Sequence, residues 1–294
     1  MKLGVIGGSG LYDIDGLEDI KEINLETPFG NPSDNYITGT INGSEIVFLP
    51  RHARGHKILP NELNHKANIW GMKKLGVTHI LSISAVGSLK EELVPRDVVI
   101  VDQYFDRTKS GLEHTFFGEG IVAHIPFADP ICPEMKELVF DAAKAACEIH
   151  NKNGNSSTAH LGGTYINMEG PAFSTKAESK IYKSWGLDVI GMTNLPEAKL
   201  AKEAEICYIT AAMVTDYDAW HSSHDSVTLD MVIANLTANA NLAKNIIKIV
   251  LETQKDLKEE CGCSSTLATS LVTPMDLVPD KTKEKLNLII KKYL

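Results

Sequence analysis

The sequence predicts an α/β protein with a mixed, mostly parallel central sheet flanked by helices. Strand-like apolar runs alternate with helical segments through most of the chain, which is typical of parallel strands joined by right-handed crossovers. Neither an internal repeat nor a low-complexity segment interrupts this alternation. We therefore expect the 294 residues to form a single domain, 1–294.

Composition argues against several classes of function. The formal net charge of −9 disfavours a broad surface for nucleic acid or anionic membranes. No apolar run approaches the roughly 18 residues of a membrane helix, and residues 1–6 lead into glycines without a signal-peptide pattern. The odd count of five cysteines indicates reduced thiols, and Cys261 and Cys263 are expected to be idle rather than a redox pair or a strained disulfide. The chain is expected to be cytoplasmic.

The first predicted strand, residues 3–6, leads into a glycine-rich turn at 7–10. Such a turn can aim backbone amides and the Ser9 hydroxyl at an anion. A dinucleotide-binding fingerprint is the obvious alternative, but it requires an apolar-striped helix directly afterwards. Residues 11–16 are instead short, acidic and broken by glycine, which disfavours a dinucleotide cofactor.

A hairpin and a basic segment come next. Residues 35–41 and 45–50 alternate apolar and polar side chains around Asn42-Gly43, a strong two-residue hairpin signal. Four potentially cationic side chains follow the second strand: Arg51, His52, Arg54 and His56. A solvated basic loop is one interpretation, but the position after a buried strand favours a compact anion-binding cluster.

Helices and strands then alternate up to residue 168. Asn61 is expected to cap a helix that stops before Gly76. The strand at 79–83 leads into the small residues Ser84 and Ala85, which either let a backbone approach a ligand or serve only tight packing. The remaining elements here are a strand at 97–102, a helix at 133–150 and a strand at 164–168.

The second half of the chain continues the pattern. Glu169 follows the strand at 164–168, either as an internal ion-pair partner or as a ligand contact. Thr175 and Glu178 form a capping box for the next helix. The remaining segments are a strand at 188–191 followed by Met192 and Thr193, a helix ending at residue 204, a buried strand from Cys207 that ends in Thr215-Asp216-Tyr217-Asp218, and helices at 228–258 and 276–293.

The polar clusters share one feature, because each of them follows a predicted strand. They are Ser9, Arg51 with His52, Ser84 with Ala85, Glu169, Met192 with Thr193, and Asp216. Ligands of open α/β sheets bind at the carboxyl ends of the strands. We therefore expect one pocket with an anion site, an apolar wall that includes Phe173, and a carboxylate end at Asp216 and Asp218.

Eight motifs run through nearly the whole chain: GVIGGSGLYD, TPFGNPS, RHARGH, NHKANIWGMKKLG, SAVGSL, MEGPAFSTKAES, MTNLPEAKLAKEAEICY and MVTDYDAW. As a set they resemble the purine nucleoside phosphorylase superfamily, and within it the family that acts on 5′-methylthioadenosine. The resemblance implies a purine nucleoside phosphorylase-like fold. It also implies a homotrimer, or a dimer of trimers, that binds a small nucleoside and phosphate.

The resemblance also implies roles for individual residues. The phosphate-binding set is Ser9, Arg51, His52, Ser84, Ala85 and Thr193. The substrate-binding set is Phe173, Met192, Asp216, Asp218, Glu169, Leu229 and His124. In this family a neighbouring subunit lends a residue from the loop that here carries His124, and a C-terminal helix caps the pocket for the alkylthio group.

The implied reaction is phosphorolysis of an N-glycosidic bond, a pentosyl transfer in purine and methionine salvage. Phosphate attacks C1′ of 5′-methylthioadenosine, which yields adenine and 5-methylthioribose-1-phosphate. The expected catalytic residues are Asp216 and Asp218: the Asp216 carboxyl shares a proton with N7 and accepts from N6–H, whereas an Asn there would suit a 6-oxopurine. No cofactor is expected, since phosphate is a co-substrate. No metal is expected because the histidines lack carboxylates or cysteines at ligand spacing.

Three other functions remain open from the sequence. A 6-oxopurine nucleoside or methylthioinosine phosphorylase would differ in the base that it releases. A nucleoside hydrolase would release the base without phosphate. A non-catalytic module would bind purine nucleosides without turning them over.

Overall fold

The computed structural model describes residues 1–8, 10–11, 13–109, 114–222, 229–254 and 261–294, and for residues 229–233 only the backbone. The strands are β1 (Leu3–Gly7), β2 (Glu18–Ile23), β3 (Tyr36–Ile41), β4 (Ser44–Pro50), β5 (His79–Ser88), β6 (Val98–Ile100), β7 (Gln103–Arg107), β8 (Ala159–Leu161), β9 (Thr164–Met168), β10 (Val189–Gly191) and β11 (Cys207–Tyr217). The helices are α1 (His65–Lys74), α2 (Pro133–Lys152), α3 (Lys176–Ser184), α4 (Asn194–Glu203), α5 (Leu229–Thr253) and α6 (Asp280–Ile290).

The described strands form one mixed, mostly parallel sheet, as the sequence predicts. One path through it runs β2-β3-β4-β1-β5-β10-β9-β7, and a second leaves β5 through β11 to β6 and β8. The long strand β5 is the branch point: it pairs in parallel with β1 and β11, and its carboxyl end pairs antiparallel with β10. The carboxyl ends of several strands therefore meet around the second half of β5.

The predicted hairpin is confirmed. Strands β3 and β4 pair antiparallel, with Ile41 opposite Ser44. Asn42 and Gly43 between them have φ values of 51° and 77°. Positive φ at both central residues is what a type I′ turn requires, and this is why an Asn-Gly pair predicts it.

Helices cover the sheet and complete the core. Helix α2 packs on α5, and both contact β11, while α1 packs on α4. Strand β11 is buried from Cys207 through Thr215, as its continuous apolar run predicts. Among the residues that the structure describes, no helix is both long enough and apolar enough to cross a membrane.

Several predicted boundaries are wrong. Asn64, rather than Asn61, caps α1, because its side-chain oxygen accepts from the amide of Ala67, while Pro60–Glu62 forms a short 3₁₀ turn. Strand β5 continues to Ser88, so that Ser84 and Ala85 lie inside it. The last predicted helix shrinks to α6 between two 3₁₀ turns, Met275–Leu277 and Lys291–Tyr293.

Three strands were not predicted at all: β2, β7 and β8. Most residues of β2 and β7 are exposed, and both are terminal strands of the first path. An edge strand lacks the alternation of buried and exposed side chains from which a strand is predicted. Its pairing with the rest of the sheet is set by tertiary contacts.

Candidate active site

The candidate site is built on the parallel register of β4, β1 and β5. Gly7, the last residue of β1, lies opposite Pro50, the last residue of β4, and Ile6 lies opposite Ser82 of β5. The amide of Arg51 donates to the carbonyl oxygen of Gly7 at 2.9 Å. The segment after β4 and the glycine-rich turn after β1 therefore start side by side, at the carboxyl edge of the sheet.

The guanidinium of Arg51 is buried and committed to Glu197 of α4. Its Nε lies 2.5 Å from Oε1 of Glu197, and its Nη2 lies 3.2 Å from Oε2. Nη1 donates to the carbonyl oxygen of Ile83, and Nη2 donates to the hydroxyl of Ser82. Burial alone would raise the pKa of Glu197, but the charge and hydrogen bonds of Arg51 outweigh burial and hold that pKa below its usual value.

Glu197 is also the centre of a wider polar network. Its Oε2 accepts from the hydroxyls of Ser82 at 2.8 Å and Tyr208 at 2.9 Å. The side-chain amide of Asn194 donates to the Ser82 hydroxyl at 2.8 Å and to Thr210 at 2.9 Å. These groups are buried, and their mutual hydrogen bonds fix their positions. We call this network, together with Arg51, the floor of the site, because it lies beneath the carboxyl edge of the sheet.

The anion-binding role of the predicted cationic cluster stays a prediction, but its two arginines are both ion-paired. Arg51 is paired with Glu197, and Arg54 is paired with Glu22 at 2.5 Å and with Asp34 at 2.9 Å. The carboxylate partners lie elsewhere in the sequence, which is why the basic segment alone suggested free positive charge.

His52 is half-buried and neutral at physiological pH. Burial, together with the nearby charge of Arg51, lowers the pKa of His52 to about 4. Its Nδ1 lies 2.8 Å from the carbonyl oxygen of Ile58, and since a carbonyl only accepts, Nδ1 carries the proton. The neutral ring leaves Nε2 as a hydrogen-bond acceptor, and the ring stacks on His56 with centroids 4.4 Å apart.

Ser84 of β5 and Thr193 at the start of α4 meet at one phenol group. The hydroxyl of Ser84 lies 3.3 Å from that of Tyr165, whose phenol also interacts with the backbone of Thr193. Burial raises the pKa of Tyr165, so the phenol stays protonated. A side chain at Gly191 would collide with this hydroxyl, since a Cβ atom there would lie 1.8 Å from it. Two predicted phosphate-binding residues are thus brought together.

Asp216 lies near the end of β11, opposite Gly87 of β5, and its Oδ1 accepts from the hydroxyl of Thr215 at 2.6 Å. Asp218 follows the strand, and both of its carboxylate oxygens accept from Ser174, at 2.7 and 3.0 Å. The loop that carries Ser174 thereby closes on the carboxylate end of the predicted pocket.

Phe173 and Glu169 lie on the loop that follows β9, and Met192 lies on the loop that follows β10. Phe173, next to Ser174, is 84% exposed, so its ring is open to contact a ligand. Met192 lies against Gly170, where an added Cβ atom would be 2.7 Å from its sulfur. Glu169 is half-buried and accepts from the amide of Lys109 at 2.6 Å.

Some predicted residues are not placed with this group. His124 is exposed, and its amide donates to the carbonyl oxygen of Ser270 at 2.8 Å. Ala85, in contrast, directly follows Ser84 on β5 and is exposed, so its backbone does adjoin the group. Ser9 and the side chain of Leu229 lie outside the described residues.

Sequence reasoning missed four residues that position the site: Tyr165, Ser174, Asn194 and Glu197. The burial that identifies the last two residues is visible only in the structure. Asn194 and Glu197 stand three residues apart in a helix whose residues are almost all buried. Buried polar groups in such a helix require partners, and the Arg51 segment provides one.

The fold and this arrangement define a class: an α/β protein with a hydroxyl-lined site and a carboxylate pair at the carboxyl edge of one sheet. The family model described as the phosphorylase superfamily matches residues 2–252, and the chain belongs to that family. The S-methyl-5′-thioadenosine phosphorylase of Geobacter sulfurreducens is 53% identical over 292 residues, which cover 99% of each chain.

Solved structures agree with this assignment. A methylthioadenosine phosphorylase from an antarctic soil metagenomic library superposes with a TM-score of 0.92 and 43% identity, covering 98% of each chain. The methylthioadenosine phosphorylase of Schistosoma mansoni in complex with adenine has a TM-score of 0.79 and 33% identity, covering 99% of this chain and 98% of that one.

Proposed function

We propose that this protein catalyses phosphorolysis of 5′-methylthioadenosine to adenine and 5-methylthioribose-1-phosphate, with inorganic phosphate as the co-substrate. One observation carries the proposal: the Ser84 hydroxyl and the Asp216 carboxylate lie at different positions along the paired strands β5 and β11. Ser84 lies opposite Ala212, and Asp216 lies opposite Gly87, three residues further along β5. Three strand residues span about 10 Å. This separation leaves room for a phosphate, the sugar carbon that it attacks, and the purine.

The phosphate end offers hydrogen-bond donors rather than free cations. Ser84 and Thr193 provide hydroxyls, Thr193 is the N-cap of the 10-residue helix α4, and a helix N-terminus favours an anion. Arg51 fixes the floor of this end through its pair with Glu197. Neutral His52 can accept through Nε2 from a protonated phosphate oxygen. The bound phosphate keeps its negative charge and stabilises the positive charge that develops on the sugar.

The carboxylate end acts on the leaving base. As the glycosidic bond breaks, negative charge develops on the purine, and Asp216 relieves it by sharing a proton with N7. The same carboxyl accepts from the exocyclic N6–H of a 6-aminopurine. The Thr215 hydroxyl orients Asp216, and Ser174 orients Asp218. Phe173 packs on the purine face.

Met192 lies near the sugar, and an apolar pocket takes the 5′ methylthio group. Such a pocket discriminates only about 100-fold against a hydroxyl in place of an apolar group. Some turnover of adenosine is therefore part of the proposal.

The proposal also covers the oligomeric state and the cellular compartment of the protein. The protein works as a homotrimer, or as a dimer of trimers, in the cytoplasm, without a cofactor in the reaction. The exposure of His124 suits a side chain lent to the pocket of a neighbouring subunit.

An adenine-release assay tests the proposal. Purified protein is incubated with 5′-methylthioadenosine in phosphate-free buffer and again with added phosphate. We expect release only with phosphate. Equal release in both buffers would establish a hydrolase, and binding without release would establish a non-catalytic module. Faster turnover of methylthioinosine than of methylthioadenosine would establish a 6-oxopurine enzyme.

A further inference from the structure

Four of the five cysteines converge at one point in the fold. The sulfur atoms of Cys132, Cys207, Cys261 and Cys263 all lie within 4.8 Å of one another. Cys132 is the N-cap of α2, Cys207 is the first residue of β11, and the other two flank the turn at Gly262. Three segments that are far apart in the sequence therefore bring their thiols to one place.

The cluster is largely buried and free of disulfides. Cys132, Cys207 and Cys263 are buried, Cys261 is partly exposed, and all four are free thiols. The sulfur atoms of Cys207 and Cys261 lie 3.4 Å apart.

The sulfur spacing suits one tetrahedral ion. Zinc–sulfur bonds of about 2.3 Å place the four sulfurs of a tetrahedral site roughly 3.8 Å apart. The competing use of four thiols is two disulfides, in which paired sulfurs lie about 2.05 Å apart. A set of four mutually close sulfurs matches the first arrangement rather than two separate pairs.

The charged side chains around the cluster balance the net charge of a divalent ion bound by four thiolates. A cavity of 330 Å³ next to the cluster is lined by Cys207 and Cys261, and also by Lys73, Lys291, Lys292 and Glu205. Three lysines against one glutamate leave two positive charges, and a divalent ion with four thiolates carries two negative ones. The cavity also provides a path by which an ion can enter.

We propose that Cys132, Cys207, Cys261 and Cys263 bind one Zn²⁺ ion in a structural tetrathiolate site. The site is remote from the candidate active site, because Cys207 and Asp216 are nine residues apart on one strand, which corresponds to about 30 Å. The ion would fasten the segment at Cys261–Cys263 to the starts of α2 and β11. The two cysteines expected to be idle thereby acquire a role.

Metal analysis of the full chain tests the proposal. The protein is purified with a reductant, loaded with Zn²⁺, dialysed, and its zinc is measured per chain. Cys261→Ser and Cys263→Ser each remove one ligand, and Cys147→Ser is the matched control because Cys147 is the remaining cysteine, also buried but outside the cluster. We expect one zinc per chain in the unmodified protein and in Cys147→Ser. Each ligand variant should lose more affinity than the about 10–100-fold that loss of an outer-shell partner costs.

Cobalt substitution and thermal unfolding do not depend on the variants. Co²⁺ should give the visible absorption of a tetrahedral tetrathiolate, and added Zn²⁺ should raise the Tm of the unmodified protein. The proposal is overturned if the reduced protein binds no more zinc than Cys261→Ser. It is equally overturned if non-reducing peptide mapping finds the four cysteines paired in disulfides under these conditions.

Discussion

Arg51 and Glu197 form a buried ion pair beneath the candidate phosphate site, with side chains only 4% and 1% exposed and Nε 2.5 Å from Oε1. The pair joins the segment after β4 to the first turn of α4, 146 residues apart in the sequence. It removes Arg51 as a free cation and makes it a fixed part of the floor of the site.

The first prediction follows from this pair. Glu197→Gln leaves a buried guanidinium without its counter-charge, which should destabilise the protein by about 3–5 kcal/mol. The free energy of unfolding in a denaturant titration measures the change. Glu22→Gln is the control, because its pair with Arg54 has the same 2.5 Å distance but lies on the surface. Similar losses for both variants would mean that burial does not set the strength of the pair.

The second prediction concerns the choice of base. Asp216→Asn removes the proton-sharing carboxyl, so adenine release should fall by about 100-fold or more. The remaining activity should shift in relative preference towards 6-oxopurine nucleosides, because an amide can donate to O6. The kcat/KM values for methylthioadenosine and methylthioinosine measure both effects. Asp141→Asn, at an exposed carboxylate of α2, is the control. Near wild-type rates for Asp216→Asn would refute the assigned role.

The third prediction concerns Ser174, which contacts Asp218 through both carboxylate oxygens. Ser174→Ala should lower kcat/KM by about 10- to 100-fold, since a hydrogen bond to a charged group contributes about 1.5–3 kcal/mol. Ser174→Thr, which keeps the hydroxyl, should restore part of the loss. Ser184→Ala removes a hydroxyl that contacts only the end of α3 and should have no effect. If Ser174→Ala changes the Tm alone and leaves kcat and KM unaltered, Ser174 does not position the catalytic carboxylate.

The fourth prediction is the titration of His52. Because its pKa is lowered to about 4, its ring should stay neutral from pH 8 down to about pH 5. The neutral form is favoured in the folded state, so this group contributes stability that is present above pH 6.5 and is lost as the pH falls towards 4. Proton–carbon NMR of the histidine rings, assigned with His52→Gln, measures the titration directly. A midpoint near 6.5 would contradict the neutral assignment.

The sequence predicts those parts of the fold that depend on local pattern. The Asn42-Gly43 hairpin and the capping box at Thr175 and Glu178 are formed as predicted, because their signals reside in adjacent residues. The predicted helix cap, Asn61, is wrong, and Asn64 caps α1. Both Asn residues are suitable N-caps, and tertiary contacts determine which of them begins the helix. The edge strand β7 carried no alternation to be recognised.

The candidate site also has features that the sequence leads one to expect and features that depend on residues far apart in the chain. Strand-end placement led us to expect Ser84, Thr193, Asp216 and Asp218 in one group, because parallel strands bring their carboxyl ends together. Ser84 lies inside β5 instead of after it, and the shared ligand role of the four residues stays a prediction. Strand-end placement did not predict that Arg51 is neutralised by Glu197, since that depends on a partner far along the chain. The convergence of four cysteines from three elements is equally invisible to spacing rules, which consider only nearby residues.

The most direct test of the central claim is the identity of the sugar product. Phosphorus-31 NMR of a reaction containing 5′-methylthioadenosine and phosphate follows the phosphate while absorbance follows adenine. The proposed reaction predicts one sugar 1-phosphate ester for each adenine released, with an equal loss of inorganic phosphate. Adenine release that leaves the phosphate signal unchanged would contradict phosphorolysis.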